Sequence, residues 1–398
     1  MVKTKRKAKK ERKMLRAERK QHGYAGEILK SGSVKSGDFW LVLLALALSI
    51  FGVIMVFSAS YYYSINKYSD PYHYLIRDLV WVAAGIAGML IMTVIDYRIF
   101  AKKKVALAFL GFSILFLVLI FTPLGVTRNL ATRWIGIGKL TFMPGEFAKI
   151  AAIIFTAYFL SQDPRRIRSL QRGVLPLLGL CVVYMGLIVK QPNLSTAITV
   201  CGIIVGMMFV AGLSWGYIGA MVGAAGLGIF SLTVFLPDSE WAKRITSFLD
   251  PFADPLGDGY QVVQSLLALG TGGLFGTGLG KSVQKNLYLP EPQNDFILAI
   301  IGEELGYIGV IFLMICYLLL IWRGIHISVN ANDTFGSMLA AGITIMIALQ
   351  VIMNIAVVTS SMPPTGVTLP FVSYGGNATL LFLGSVGILL NISRHSAR

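Results

Sequence analysis

From Phe39 onward the chain is a succession of apolar runs separated by short polar stretches. The first, Phe39 to Ser60, holds about 22 residues without a charge, and about 20 apolar residues cross the hydrocarbon core of a bilayer as one helix. Further runs fall near residues 76–95, 105–124, 146–161, 174–189, 195–213, 215–236, 296–322, 335–358 and 377–393. In lipid every backbone amide has to be paired inside the protein, so runs of this length are read as helices. The expected fold is an all-α polytopic membrane protein with ten transmembrane helices and a long extracytoplasmic loop between helices 7 and 8. Composition agrees, because 55% hydrophobic and only 14% charged residues are far from the balance of a soluble domain.

The net charge of +16 must then be read by side of the membrane. Residues 1–38 carry 13 Lys and Arg against four acids, and the stretches DYRIFAKKK and QDPRRIRSLQRG carry four basic residues each. Positive residues stay on the cytoplasmic side, which places both termini there. The expected division is a basic cytoplasmic tail over 1–38 suited to anionic membrane lipid, a transmembrane domain over 39–394 and a cytoplasmic C-terminus over 395–398. The basic n-region is too long for a cleaved signal peptide, so the first helix is expected to be retained. RNA binding would want aromatics among the basic residues, and the tail has only Tyr24, so no nucleic-acid partner is expected. Cys181, Cys201 and Cys316 lie inside apolar runs, and His22, His73, His326 and His395 are scattered, so neither a disulfide framework nor a protein-held zinc site follows.

The long loop, residues 237–295, is not very polar. WAKRITSFL at 241–249 and YQVVQSLLAL at 260–269 have the spacing of interfacial helices and are expected to lie on the outer leaflet. The tract GTGGLFGTGLG reads as a flexible hinge. Its ending, Gly280, Lys281 and Ser282, imitates a phosphate-binding loop, but Phe275 stands where that motif needs glycine and no strand precedes it.

Carboxylates then stand out at the edge of the eighth run. Asp295 stands at its threshold, and Glu303 and Glu304 lie two helical turns further in. An acidic group at the centre of a membrane helix costs roughly 2.5–3.5 kcal/mol, so those that persist usually face a cavity or a functional path. The plainer alternative makes Asp295 the N-terminal cap of the helix that follows, which leaves the two glutamates unexplained. Arg133 and Lys190 sit at neighbouring mouths, while Glu146 and Lys149 share one helical face, as a substrate contact or as a structural ion pair. Cations suit an anionic headgroup, and a carboxylate suits acid/base chemistry.

Seven separated motifs complete the pattern: RWI at 133–135, PGEFAK at 144–149, QPNLSTA at 191–197, GTGGLFGTGLG, YLPEPQNDFI, GEELG and PPTGVTLPFVSYGG. In this order they resemble the SEDS family, the integral-membrane peptidoglycan glycosyltransferases, over roughly residues 39–394, and GLGKSVQKNLYLPEPQNDF is similar to the division branch, FtsW and SpoVE, more than to RodA. The resemblance implies polymerisation of lipid II into β-1,4 glycan on the outer face of the bacterial cytoplasmic membrane, at the division septum, with inversion and release of undecaprenyl pyrophosphate. It implies Asp295 as the catalytic base, with Arg133, Lys149, Glu146, Lys190, Glu303 and Glu304 as substrate-binding residues. A divalent cation, Mg or Mn, could assist, and no organic cofactor is implied. The implied partners are a class B penicillin-binding protein with transpeptidase activity and other divisome proteins. A flippase or transporter of lipid-linked precursor, an elongation-type polymerase and a scaffold are the rival readings.

Overall fold

The computed structural model describes residues 37–128, 131–137, 140–235, 248–257 and 259–396. The basic tail and most of the expected helix at 241–249 lie outside the described residues. Within them the helices are α1 (Phe39–Tyr68), α2 (His73–Val94), α3 (Lys103–Leu119), α4 (Pro144–Gln162), α5 (Leu175–Val189), α6 (Leu194–Val210), α7 (Trp215–Phe235), α8 (Tyr260–Gly272), α9 (Ile297–Val329), α10 (Thr334–Val358) and α11 (Gly376–Arg394). All but α8 coincide with the apolar runs. Six spans, 39–68, 73–94, 170–189, 297–329, 334–358 and 376–394, are long and apolar enough to cross a membrane.

Helix starts follow local chemistry. Asp38 accepts the Leu41 amide at 3.1 Å, Asn193 the Thr196 amide at 3.3 Å and Asp333 the Gly336 amide at 2.8 Å, while Pro144 opens α4. Each cap satisfies a donor that the first helical turn leaves unpaired. Small residues then bring helices close: Gly85 of α2 faces Leu383 of α11, Gly342 of α10 faces Ile153 of α4 and Met207 of α6, and Gly145 of α4 faces Thr196 of α6. At the Asp38 end the α1 start is tied down twice, because Arg323 of α9 pairs with the Asp38 carboxylate and Ser393 of α11 accepts its amide at 3.1 Å.

The expectation of an all-α chain needs one correction. Between α3 and α4 the chain forms a three-stranded antiparallel sheet, β1 (Gly125–Arg128), β2 (Ala131–Ile137) and β3 (Leu140–Phe142), in the order β1-β2-β3. Thr127 faces Thr132 with their hydroxyls 2.7 Å apart, and Val126 pairs with Trp134. The β-branched and aromatic residues here suit a pleated surface, and the stretch is too short and polar to be a span. The sheet presents Arg133, on β2, beside the start of α4.

Helix α8 forms where YQVVQSLLAL implied a helix; it docks against α9 and α10 with Val262, Ser265 and Ala268 buried, and the Ser265 hydroxyl bonds the Val358 carbonyl at 2.9 Å. The glycine tract after it is not a flexible hinge. It is fastened to a break in α9 at Gly306, whose φ of 68° and ψ of −171° leave the helix. The amides of Tyr307 and Ile308, which an unbroken helix would pair with the carbonyls of residues 303 and 304, instead donate to the carbonyls of Gly273 and Leu274 at 2.9 and 3.2 Å. The carbonyls so released accept the amides of Thr277 and Gly278 at 2.9 and 3.0 Å. Four backbone groups thus exchange partners across the break, the condition for irregular backbone deep in an apolar bundle.

Close approach makes one glycine irreplaceable there. A Cβ on Gly276, at φ +78°, would lie 2.2 Å from the Glu304 carbonyl oxygen, whereas one on Gly88 would meet nothing within 4 Å. Gly276→Ala is expected to cost more than about 2 kcal/mol from clash and left-handed strain together, and Gly88→Ala to be neutral or stabilising by up to about 1 kcal/mol. Thermal unfolding of the detergent-solubilised variants measures the contrast.

Candidate active site

The acidic motif of the eighth run divides into two kinds of carboxylate. Glu303 and Glu304 are fully buried and fully engaged. Glu303 accepts the Ser282 hydroxyl and the amides of Val283 and Gln284, at 2.8 and 3.3 Å. Glu304 accepts the Ser58 hydroxyl of α1 at 2.7 and 2.8 Å and pairs with Lys285 at 2.7 Å, and the Lys285 ammonium also donates to Ser58 at 3.0 Å. Both glutamates therefore hold the 276–286 loop against α9 and α1, and their oxygens are already taken by protein groups. Lys285 and Ser58 were not singled out by sequence; a lysine buried in a loop leaves no periodic signal.

Asp295 is the other kind. Helix α9 begins at Ile297 with Phe296 in the cap position, where no side chain makes a capping bond. The cap reading of Asp295 therefore does not hold: among the described residues its carboxylate accepts no hydrogen bond. Its backbone is firmly held, because the Asn354 side-chain nitrogen of α10 donates to the Asp295 carbonyl at 2.8 Å and to the Val367 carbonyl at 2.7 Å. Val367 belongs to the PPTGVTLPFVSYGG stretch, which runs without helix from 362 to 370, with Thr365, Val367, Leu369 and Pro370 buried and Gly366 exposed. That stretch is joined to the acidic loop a second time, by the Tyr374 amide donating to the Gln293 carbonyl at 2.9 Å.

The electrostatics of Asp295 follow from this seat. Burial pushes its carboxyl up to about 6, the neighbouring Glu291 charge adds to the rise, and the Arg133 guanidinium pulls the other way. Such a group is mostly ionised at neutral pH, yet basic enough to take a proton. Arg133 reaches the site from the sheet and donates to the Pro192 carbonyl of the QPNLSTA turn. The structure thus brings Arg133 and Asp295 within electrostatic reach of one another.

The remaining candidates are placed differently. Glu146 and Lys149 form a buried pair at 2.7 Å in the first turn of α4, with the second Glu146 oxygen unpaired. Lys190 ends α5 with an exposed side chain and, among the described residues, no hydrogen bond or ion pair. Gln293 and Asn354 were missed by sequence. Both are fully buried, and among the described residues both amide atoms of Gln293 and the Asn354 side-chain oxygen lack hydrogen-bond partners. For Asn354 a signal existed, since a buried amide inside a largely apolar helix, where Gln350 is a second, is costly unless it has a task. Among the described residues no group of three His, Cys, Asp or Glu is close enough to hold a metal ion.

Two outcomes follow from these placements. Lys285→Met should cost about 3–5 kcal/mol by leaving Glu304 buried and unpaired, and adding Glu304→Gln should restore most of it, as read by thermal unfolding. For Asp295 the sign runs with pH. A carboxyl raised to about 6 by burial favours the folded state in its protonated form, so that stability is present below about pH 4 and lost as pH rises through about 6. Asp295→Asn should accordingly be more stable than the native chain at about pH 8, by on the order of 1 kcal/mol after allowance for its partial exposure, with the difference vanishing below about pH 4. Unfolding midpoints across that range test it.

Comparison with known proteins gives this geometry its setting. The chain is 44% identical to stage V sporulation protein E of Bacillus subtilis over 91% of its own length and 98% of that protein's. It is 40% identical to a probable peptidoglycan glycosyltransferase FtsW of Trichlorobacter lovleyi, covering 89% of this chain and 93% of the relative. Among solved structures, it superposes with a TM-score of 0.73 and 26% identity on a chain of a peptidoglycan synthase complex described for its coordination of polymerization and crosslinking, covering 90% of this chain and 98% of that one. The rod shape determining protein RodA of Thermus thermophilus superposes with a TM-score of 0.66 and 27% identity, covering 91% and 98%. The family model described as cell cycle protein, which takes in FtsW, RodA and SpoVE, matches residues 39–398, and the chain belongs to that family.

Proposed function

We propose that this chain is a peptidoglycan glycosyltransferase that polymerises lipid II during cell division. The observation that carries the reading is Asp295: a carboxylate raised to about 6, without a hydrogen bond among the described residues, on a rigidly held loop beside Arg133. In the proposed reaction the acceptor sugar's 4-hydroxyl attacks the anomeric carbon of the donor. Asp295 takes the hydroxyl proton, the new glycosidic bond forms, and the bond to undecaprenyl pyrophosphate breaks with its electron pair leaving on the phosphate oxygen. One base suffices, because pyrophosphate departs without a proton, and a single displacement inverts the anomeric centre. Arg133 offsets the charge that develops on the leaving group. The Glu146–Lys149 pair supports substrate from α4, and Lys190 meets headgroups at the exposed end of α5.

Ten helices are proposed to span the membrane, with both termini cytoplasmic and the Asp295 end facing outward. The basic loops support this orientation. A bacterial cytoplasmic membrane and the division septum are the proposed location, and a class B penicillin-binding protein and other divisome proteins are the proposed partners. The relatives named FtsW, and the kinship to a synthase complex that couples polymerization to crosslinking, support the assignment. A divalent cation, Mg or Mn, is proposed only as a companion of the substrate's pyrophosphate, and no step is routed through it.

The test is purified protein, with and without its transpeptidase, given labelled lipid II in vesicles. Glycan chains should form, and Asp295→Asn should lower their rate at least about a hundredfold while leaving folding and partner binding intact. Translocation of lipid without polymerisation by the native chain would favour a transporter, and polymerisation at a normal rate by the variant would remove Asp295 from the base role.

A further inference from the structure

The backbone beneath Asp295 is clamped from α10 to the non-helical stretch that follows it. Asn354 projects from α10, fully buried, and spends both hydrogens of one nitrogen on two backbone carbonyls that belong to different segments, Asp295 on the acidic loop and Val367 on the non-helical stretch. Both partners are acceptors, so the nitrogen has to face them. The oxygen is left without a partner. Only Asn and Gln among neutral side chains offer two hydrogens on one nitrogen, so this bridge brings a buried acceptor with it.

On the opposite side of the same joint stands Gly366, at φ +71°, whose missing Cβ would lie 3.2 Å from an Asp295 carboxylate oxygen. The carboxylate therefore rests against bare backbone one residue from the Val367 carbonyl that Asn354 holds. Moving the joint moves the carboxylate.

We infer that Asn354 is the positioning residue for Asp295, setting through its two donated hydrogen bonds the distance between the Asp295 backbone and the Gly366–Val367 backbone, and so the reach of the carboxylate toward an acceptor hydroxyl. The inference rests on the reading of Asp295 as base. Misplacement by about 1 Å costs a catalytic group on the order of a hundredfold. The charged groups that act on Asp295 are Glu291 on its own loop and Arg133 from the sheet; neither touches Asn354 in a hydrogen bond or ion pair.

Asn354→Leu, which keeps the bulk and removes both donors, should lower kcat for lipid II polymerisation about thirty- to a hundredfold, leave KM within about threefold, and shift the acid limb of the kcat–pH profile. In an Asp295→Asn background the same change should have almost no further effect on residual turnover, because the group that it positions is gone. Gly366→Ala crowds the carboxylate from the other side without touching α10, and should give the same shift of the pH profile should the α10 variant fail to fold. A normal kcat and unshifted profile in folded Asn354→Leu or Gly366→Ala protein would overturn the inference, as would losses that simply multiply in the double variant. If Asp295→Asn alone polymerises normally, the base reading fails instead, and the two failures are told apart by that single variant.

Discussion

Charge can be buried among apolar helices only if the protein supplies what water would have given it. Here that condition is met at the break in α9, where Ser282 and two amides surround Glu303, and Lys285 with Ser58 surrounds Glu304. The backbone obeys the same rule, since the carbonyls and amides released at Gly306 are re-paired with residues 273–278. These bonds tie α1, α8, α9 and the loop between α8 and α9 into one unit. Because the loop's last residues lead directly into the Asp295 turn, the site inherits its rigidity from a charge cluster about two helical turns away.

Rigidity in one place permits dissatisfaction in another. Among the described residues Gln293, the second oxygen of Glu146 and the oxygen of Asn354 are buried without hydrogen-bond partners, and the carboxylates of Asp295 and Asp78 accept no hydrogen bond either, whereas Glu304 and Asp38 are paired. Unpaired buried polar groups in a folded protein call for an explanation. A substrate rich in hydroxyls and phosphate oxygens supplies one. Glu303 and Glu304 differ from Asp295 in that their oxygens are taken by protein groups and those of Asp295, among the described residues, are not.

Much of this was legible in the sequence. Each of the ten apolar runs coincides with a helix, with starts within a few residues because caps such as Asp38 and Asp333 mark them, while the first and eighth runs end seven or eight residues short of Tyr68 and Val329. Asp295 was visible as a charge at the edge of an apolar run. The sheet carrying Arg133 was not, since its central strand, ATRWIGI, lacks the alternation of polar and apolar residues that marks a half-buried strand. Nor were the roles of Glu303 and Glu304 visible, because whether a buried carboxylate faces a cavity or a lysine is decided by a loop some 20 residues distant in sequence. The glycine tract misled for a related reason: glycine permits flexibility and close packing alike, and only the neighbouring backbone of α9 decides between them.

What the account requires above all is that the carboxylate of Asp295, in its ionised form, limits glycan synthesis. The pH dependence of kcat/KM for lipid II, measured on purified native protein bound to its transpeptidase, reports on this directly. The rate should be level at neutral pH and fall about tenfold per unit below an apparent pKa of about 6, the value that burial and Glu291 impose on this group. A rate that held constant from about pH 8 to about pH 4.5, in protein that stays folded across that range, would contradict it.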